Sequence, residues 1–117
     1  MPYDPENVFA KIARGEIPSD RVYEDGEFIA FRDIEPAAPV HILVIPRREG
    51  VTSTADLTDD DAPWVGRMLV VATRIAREQG LEAQGYRLLM NCGVHGGQTV
   101  QHVHLHLLGG RALDGFG

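Results

Sequence analysis

The sequence predicts an α+β domain in which an antiparallel sheet of about five strands carries one long and one short helix on a single face. Two observations lead to this fold class. The β-rich segments follow one another through turns instead of alternating with helices, and only one segment has the length and periodicity of a long helix. Because no repeat, low-complexity tract or linker divides the chain, we expect a single domain over residues 1–117.

The N-terminal part supplies the short helix and the first two strands. Residues 1–6 form a polar lead that we expect to be loosely held. Asn7 can cap a short helix, and Gly15 lies where that helix would end. Asp25 and Gly26 separate two β-rich runs, which predicts a hairpin closed by a type I′ turn.

The rest of the chain supplies a buried strand, the long helix and two final strands. The run VHILVI, residues 40–45, is typical of a buried strand. Acidic residues within 58–61 favour the start of a helix, and Gly80 can end it. The apolar residues of this helix recur at helical spacing: Trp64, Met68, Leu69, Ala72, Ile75 and Ala76. Strands over residues 86–92 and 100–108 follow, joined by a glycine-rich loop.

Composition limits the partners and the setting of the protein. The formal net charge of −6 disfavours general attraction to nucleic acid or to an anionic membrane. No apolar run approaches the length of a membrane span, and the first residues do not resemble a secretory signal. The single cysteine, Cys92, excludes an internal disulfide and suits a reducing compartment. We therefore expect a cytoplasmic protein.

The segment QHVHLHLL places His102, His104 and His106 at alternate positions. On a strand these side chains would share the open face of the sheet, while the apolar residues between them pack under the long helix. A row of histidines without chemistry is unfavourable because protonated imidazoles repel one another. Imidazoles also bind zinc, but no cysteine or carboxylate lies in the motif. The segment therefore favours a third interpretation, a site for phosphate chemistry.

The loop before the histidines strengthens the phosphate interpretation. Gly96 and Gly97 allow backbone N–H groups to approach a phosphate, and Gln98 and Thr99 offer side-chain donors. A neutral imidazole can attack phosphorus, a cationic one can hold the phosphate oxygens, and a third group can fix the tautomer of the first. We expect such a site to use neither a metal nor another cofactor.

At this point the chain resembles a known family. HVHLHLL matches the histidine-triad motif of the HIT superfamily of nucleotide hydrolases and transferases. The segments VFAKIARGEIPS, VYEDGEFIAFRDIEPAAPVHILVIPRR, GYRLLMNCG and GGQTVQHVHLHLLGGR resemble the Hint branch in the same order, over about residues 8–111. The resemblance implies a HIT-like fold and a homodimer whose sheets join into one. It also implies a purine nucleotide ligand and hydrolysis of nucleoside phosphoramidates and aminoacyl adenylates.

The resemblance also implies roles for individual residues. His104 would be the nucleophile that forms a nucleotidyl-histidine, and His106 would contact the phosphate oxygens. His102 and His41 would support and orient the nucleophile, and Thr99 would protonate the leaving amine. The resemblance also places residues around the nucleotide. Those at the base are Val8, Phe9, Ile12, Phe31 and Ile34, and Asp33 is at the ribose hydroxyls. Those at the phosphate are Asn91, Gly97, Gln98 and Thr99, and Val100 is a further contact.

Some features leave alternatives open. Thr99 stands where Hint proteins commonly have serine, although the hydroxyl is retained. GQTV and HVH also resemble the Fhit branch, so a dinucleoside polyphosphate hydrolase is an alternative, although LLGGR favours Hint. A second alternative is a nucleotide-binding or interaction module with incidental turnover. The tail, residues 112–117, lacks the aromatic, proline-rich ending of many Hint proteins, which leaves the choice of amine open. We expect His95 to be an exposed loop residue.

Overall fold

The computed structural model describes residues 2–115, and its strands form one antiparallel sheet in the order β1-β2-β3-β5-β4. The strands are β1 (Arg21–Glu24), β2 (Phe28–Arg32), β3 (Val40–Pro46), β4 (Tyr86–Leu89) and β5 (Leu105–Gly109). The α-helices are α1 (Val8–Ala13) and α2 (Ala62–Glu78), with single 3-10 turns at Thr54–Asp56 and Asp59–Asp61. The predicted fold class, with five antiparallel strands and one long and one short helix, is confirmed. Predictions for Met1, Phe116 and Gly117 lie outside the described residues. Within 2–115, no helix combines the length and the apolarity needed to cross a membrane.

The hairpin between β1 and β2 is closed by a side chain. The Asp25 carboxylate accepts hydrogen bonds from the backbone N–H groups of Glu27 and Phe28, at 2.7 and 2.8 Å. Gly26 does not adopt a positive φ, so the predicted type I′ turn is wrong although the hairpin itself is present. Aspartate can close a turn in this way because its carboxylate reaches the N–H groups two and three residues further along.

Helix α2 buries one face against the sheet. At its start the Asp61 carboxylate accepts from the Thr58 N–H, and at its end Gly80 adopts a φ of +74°. The buried residues are Trp64, Met68, Val71, Ala72, Ile75 and Ala76. Leu69, which was predicted to belong to this stripe, is 44% exposed. It follows Met68 by about 100° around the helix, whereas Val71 lies three residues on and returns to the buried face.

The two helices lie on opposite faces of the sheet, so the prediction that they share one face is wrong. On the face of α2 the sheet contributes Phe28, Ala30, Ile42, Val44, Leu105 and Leu107. On the face of α1 it contributes Ile29, Phe31, Leu43 and Ile45, which pack against Phe9, Ile12 and Ala13. The reason lies in β2 and β3, which are apolar at successive positions and therefore need cover on both sides.

The last two strands are shorter than predicted. β4 ends at Leu89 and β5 begins only at Leu105. The segment before β5 is held by other bonds, including one from the Val103 N–H to the Val51 carbonyl at 3.0 Å. As a result, His106 lies within β5, whereas His102 and His104 precede it. The residues between the histidines do reach the core under α2, as predicted: Val103, Leu105 and Leu107.

Candidate active site

A cavity of about 500 Å³ lies on the α1 side of the sheet. This volume is in the range of pockets that hold small organic ligands. All the residues predicted for the base line it, together with three others from the predicted site: Val8, Phe9, Ile12, Phe31, Asp33, Ile34, Thr99 and Val100. Sequence reasoning missed the remaining part of the wall: Ile17, Pro18, Ser19, Asp20, Arg32, Glu35 and Leu43. Of these, only Ile17 gave a signal, as a single apolar residue in a polar turn.

His104 adjoins the cavity through the ring of Phe9, whose centroid lies 4.9 Å from its own. The Nδ1 atom of His104 lies 2.6 Å from the main-chain carbonyl oxygen of His102. Because a carbonyl oxygen can only accept, Nδ1 carries the proton and Nε2 carries the lone pair. Burial lowers the pKa of His104, against a smaller opposing effect of this hydrogen bond. The geometry therefore gives a neutral imidazole with a free Nε2 at pH 7.

A second pair of imidazoles lies beside His104. Nε2 of His41 lies 2.9 Å from Nδ1 of His106, and the Ala37 N–H donates to Nδ1 of His41 at 3.0 Å. Since an amide N–H can only donate, the proton of His41 is on Nε2 and is donated to His106. The proton of neutral His106 is therefore on its own Nε2, which is buried and has no hydrogen-bond partner among residues 2–115.

His106 is thus a neutral hydrogen-bond donor. Its ring centroid lies 4.9 Å from that of His104. Burial, together with the neighbouring His104 and His41, lowers the pKa of His106 to about 4. The cationic form that sequence reasoning assigned to the second imidazole is therefore not the form present at neutral pH. An oxygen of a bound phosphate could accept from the unpaired Nε2–H instead.

The ring of His102 was predicted to lie on the open face of the sheet, but it is fully buried. Its Nε2 lies 3.1 Å from the Pro46 carbonyl oxygen, and its Nδ1 lies 2.9 Å from the hydroxyl of Tyr3. The main chain of His102, and not its ring, contacts His104. His102 therefore contacts the expected partner, although through its main chain, whereas His41 contacts His106.

The polar groups of the Gln98 side chain are all hydrogen-bonded to backbone groups of the protein. Its side-chain oxygen accepts from the Gly93 N–H at 2.9 Å, and its side-chain nitrogen donates to the carbonyls of Thr52 and Val100 at 2.6 and 3.0 Å. A primary amide has two N–H groups, and both are used here. The side chain therefore has a structural role in the loop, and its role as a phosphate donor stays a prediction.

The other residues of this loop differ in what they leave free. The Asn91 side chain donates to the Gly96 carbonyl at 2.6 Å, and the Gly97 N–H donates to the Val94 carbonyl at 3.1 Å. Gly97 has a φ of +77°, which explains why glycine stands there. In the part of the chain that is described, neither the N–H nor the hydroxyl of Thr99 has a partner. Thr99 is therefore the loop residue best placed to donate to a ligand.

Asp33 lies between the cavity and the imidazole pair. One carboxylate oxygen accepts from the Glu35 N–H at 2.8 Å, and the other lies 3.5 Å from Nε2 of His41. The Asp33 N–H donates to the His41 carbonyl at 2.9 Å. Its position in the cavity wall suits an acceptor for ligand hydroxyl groups. His95 is exposed, as predicted.

The donor set of the site suits phosphate chemistry. Across residues 2–115, no three His, Cys, Asp or Glu side chains are grouped so that they could hold a metal ion. A histidine with a fixed tautomer, a neighbouring N–H donor and a ligand-sized cavity on an antiparallel sheet define a nucleotide hydrolase of the histidine-triad class.

Comparisons with known proteins agree with this class. The family model described as "Scavenger mRNA decapping enzyme C-term binding" matches residues 6–114. A purine nucleoside phosphoramidase of Escherichia coli K12 is 51% identical over 108 residues, which is 92% of this chain and 90% of that protein. An adenylylsulfatase of Arabidopsis thaliana is 44% identical over 97% of this chain and 77% of its own length. A HIT family hydrolase from Legionella pneumophila superposes with a TM-score of 0.91 at 46% identity, covering 93% of this chain and 96% of that one. The chain belongs to the Hint branch of the histidine-triad (HIT) superfamily and is a HIT-family hydrolase.

Proposed function

We propose that the protein hydrolyses the phosphorus–nitrogen bond of purine nucleoside phosphoramidates, and also cleaves aminoacyl adenylates, through a nucleotidyl-histidine at His104. The observation that carries this proposal is the hydrogen bond from Nδ1 of His104 to the carbonyl of His102, which leaves Nε2 as a nucleophile. The similarity to a protein named as a purine nucleoside phosphoramidase supports the same substrate class.

In the first step, Nε2 of His104 attacks the α-phosphorus and the phosphorus–nitrogen bond to the leaving amine breaks. The amine departs with a proton that comes from the solvent through the Thr99 hydroxyl, the proposed relay. The ring of His104 becomes positively charged while it carries the nucleotidyl group, and the His102 carbonyl stabilises that charge through the Nδ1–H. His106 donates its Nε2–H to a phosphoryl oxygen, where negative charge increases.

In the second step, water attacks phosphorus and the bond from phosphorus to Nε2 breaks. The nucleoside monophosphate leaves, the water gives up a proton, and His104 returns to the neutral tautomer from which it started. The Asp33 carboxylate accepts hydrogen bonds from the ribose hydroxyls, and the apolar cavity wall holds the purine. The two steps therefore need no group beyond those of the chain, the substrate and water.

The experiment is hydrolysis of adenosine 5′-phosphoramidate in the presence of a metal chelator. Wild-type protein, His104→Ala and the control His95→Ala, at an exposed loop position, are compared. The proposal requires turnover by wild type and by His95→Ala and none by His104→Ala. Turnover of diadenosine polyphosphates in place of the phosphoramidate would establish the alternative hydrolase. Tight binding of AMP without turnover of either substrate would establish the binding module.

We also propose that the protein is a homodimer whose two sheets are continuous. Within residues 2–115, β4 is at one end of the strand order and pairs with β5 alone, so its outer edge offers unpaired backbone groups. Helix α2 exposes Leu69 and Val70, at 44% and 60%. Sedimentation velocity tests this, and a species of monomer mass at micromolar concentration would contradict it.

A further inference from the structure

The N-terminal lead is attached to the catalytic segment through Tyr3. The Tyr3 hydroxyl lies 2.9 Å from Nδ1 of His102, and the two ring centroids are 5.7 Å apart. The residues are 99 positions apart in the sequence. Tyr3 also lies before residue 6, where the match to the family model begins. The family model therefore does not include this contact.

The direction of each hydrogen bond at His102 follows from its partners. The Pro46 carbonyl can only accept, so Nε2 of His102 carries the proton. Burial lowers the pKa of His102, which keeps the ring neutral and leaves Nδ1 as an acceptor. Tyr3 is then the donor, and burial raises the pKa of its phenol, so the proton stays on the oxygen. The ring is held from both sides.

The peptide group between His102 and Val103 connects this ring to the nucleophile. Its carbonyl oxygen accepts from Nδ1 of His104, and its N–H donates to the Val51 carbonyl. Because both nitrogens of the His102 ring are bonded, the anchored side chain restrains the main chain of the same residue, including the oxygen that fixes the His104 tautomer. The segment lies outside β5, so this peptide group is held by the Val51 carbonyl and the anchored His102 ring instead of by strand pairing.

We propose that Tyr3 is a positioning residue of the active site, because its hydroxyl holds the ring of His102 and thereby the carbonyl that orients His104. The N-terminal lead, which sequence reasoning treated as loosely held, is on this account part of the catalytic machinery. The inference rests on the proposed function in one respect, the assignment of His104 as the nucleophile.

The test compares Tyr3→Phe with Tyr23→Phe. Tyr3→Phe removes only the hydroxyl and leaves the ring that packs near His102. Tyr23→Phe is the matched control, because its hydroxyl also makes one hydrogen bond, to Asp25 at 2.6 Å on an exposed hairpin. Steady-state hydrolysis of adenosine 5′-phosphoramidate gives kcat and KM for each protein. NMR of ¹⁵N-histidine-labelled protein gives the ring nitrogen shifts of His102 and His104.

The proposal requires Tyr3→Phe to lower kcat about fivefold with little change in KM, since the substrate contacts remain. The Nδ1 resonance of His102 should shift, because it loses its donor, and the His104 resonances should broaden or shift with it. Tyr23→Phe should leave all these values unchanged. An unchanged kcat overturns the proposal, as does a loss of kcat matched by an equal loss of folded protein. If wild type shows no turnover, the proposed function fails, and unchanged His104 resonances in Tyr3→Phe would still reject the positioning role.

Discussion

The Nδ1 nitrogen of His104 donates a hydrogen bond to the carbonyl oxygen of His102 at 2.6 Å. The bond selects one tautomer of a neutral imidazole and one ring orientation. The tautomer of the neighbouring His106 is fixed in the same manner, through His41 and a backbone amide. The reactive lone pair on His104 and the N–H donor on His106 are therefore both consequences of main-chain geometry.

The Ala37 N–H fixes the tautomer of His41, and this can be tested with proline. Ala37→Pro removes the backbone N–H that donates to Nδ1 of His41, so His41 no longer has to place its proton toward His106. We expect kcat to fall about tenfold, which corresponds to the net free energy of one hydrogen bond. Ala37 is exposed, and Ala37→Gly keeps the N–H, so this control should retain the wild-type rate. Equal rates for the two variants would contradict the proposed tautomer.

Asp33 is expected to bind the ribose hydroxyls. Asp33→Asn keeps an oxygen acceptor for the Glu35 N–H but removes the negative charge. The loss of charge-assisted hydrogen bonds should raise KM about tenfold with a small change in kcat. A substrate without ribose hydroxyls provides the matched control. Wild type should have a higher KM for this substrate than for the normal one, whereas Asp33→Asn should have the same KM for both. A KM of the variant that still differs between the two substrates would exclude ribose binding by Asp33.

A substitution of Gln98 distinguishes a structural role of this side chain from a phosphate-binding role. Gln98→Ala leaves the Gly93 N–H and the carbonyls of Thr52 and Val100 without their partner. We expect the free energy of unfolding to fall by about 2 kcal/mol. Gln84→Ala, at an exposed position, should leave it unchanged. If Gln98 served mainly as a phosphate donor, KM would rise while the denaturation midpoint stayed constant.

The buried histidines should make stability depend on pH. The pKa of His106 is lowered from its ordinary 6.5 to about 4, and those of His41, His102 and His104 are also lowered. Below about pH 6.5 the unfolded chain therefore binds protons that the folded chain does not, and stability falls as the pH decreases toward 4. Above this window both states are neutral at these histidines, and their contribution to stability is constant.

Urea denaturation at several pH values measures this dependence. His106→Asn should reduce the slope between pH 6.5 and 4, whereas His95→Asn, in the exposed loop, should not. The carboxyls with lowered pKa values are those of Glu16, Asp25, Asp56 and Asp61, and most of their contribution is lost as the pH falls below their ordinary values of 4.5 and 3.8. An unfolding free energy that stays flat from pH 7 to 4.5 would contradict the buried, neutral state of the histidines.

The sequence was sufficient to predict the fold class because its signals are local. The spacing of apolar residues in α2, the hairpin at Asp25 and the alternation around Leu105 all come from segments of a few residues. The placement of α1 could not be predicted in the same way, because it depends on which face of the sheet remains uncovered after α2 has packed.

Within the site, residue types were easier to predict than residue contacts. The residues predicted to contact the base do line one cavity. The partners that fix the imidazoles are a carbonyl of His102 and an N–H of Ala37, and every residue has such groups, so no residue type marks them. The contact between Tyr3 and His102 joins the two ends of the chain, and the role of Gln98 depends on how its loop folds back. These features follow only from the three-dimensional arrangement.

The most direct test of a nucleophilic His104 is detection of the covalent intermediate. Wild-type protein is mixed with adenosine 5′-phosphoramidate, quenched within one turnover at a pH that preserves phosphorus–nitrogen bonds, and examined by intact-mass and peptide mass spectrometry. We predict a mass increase of one adenylyl group on the peptide that contains His104, and no such adduct in His104→Ala. Full turnover without any adduct in wild type, or turnover by His104→Ala, would contradict the account.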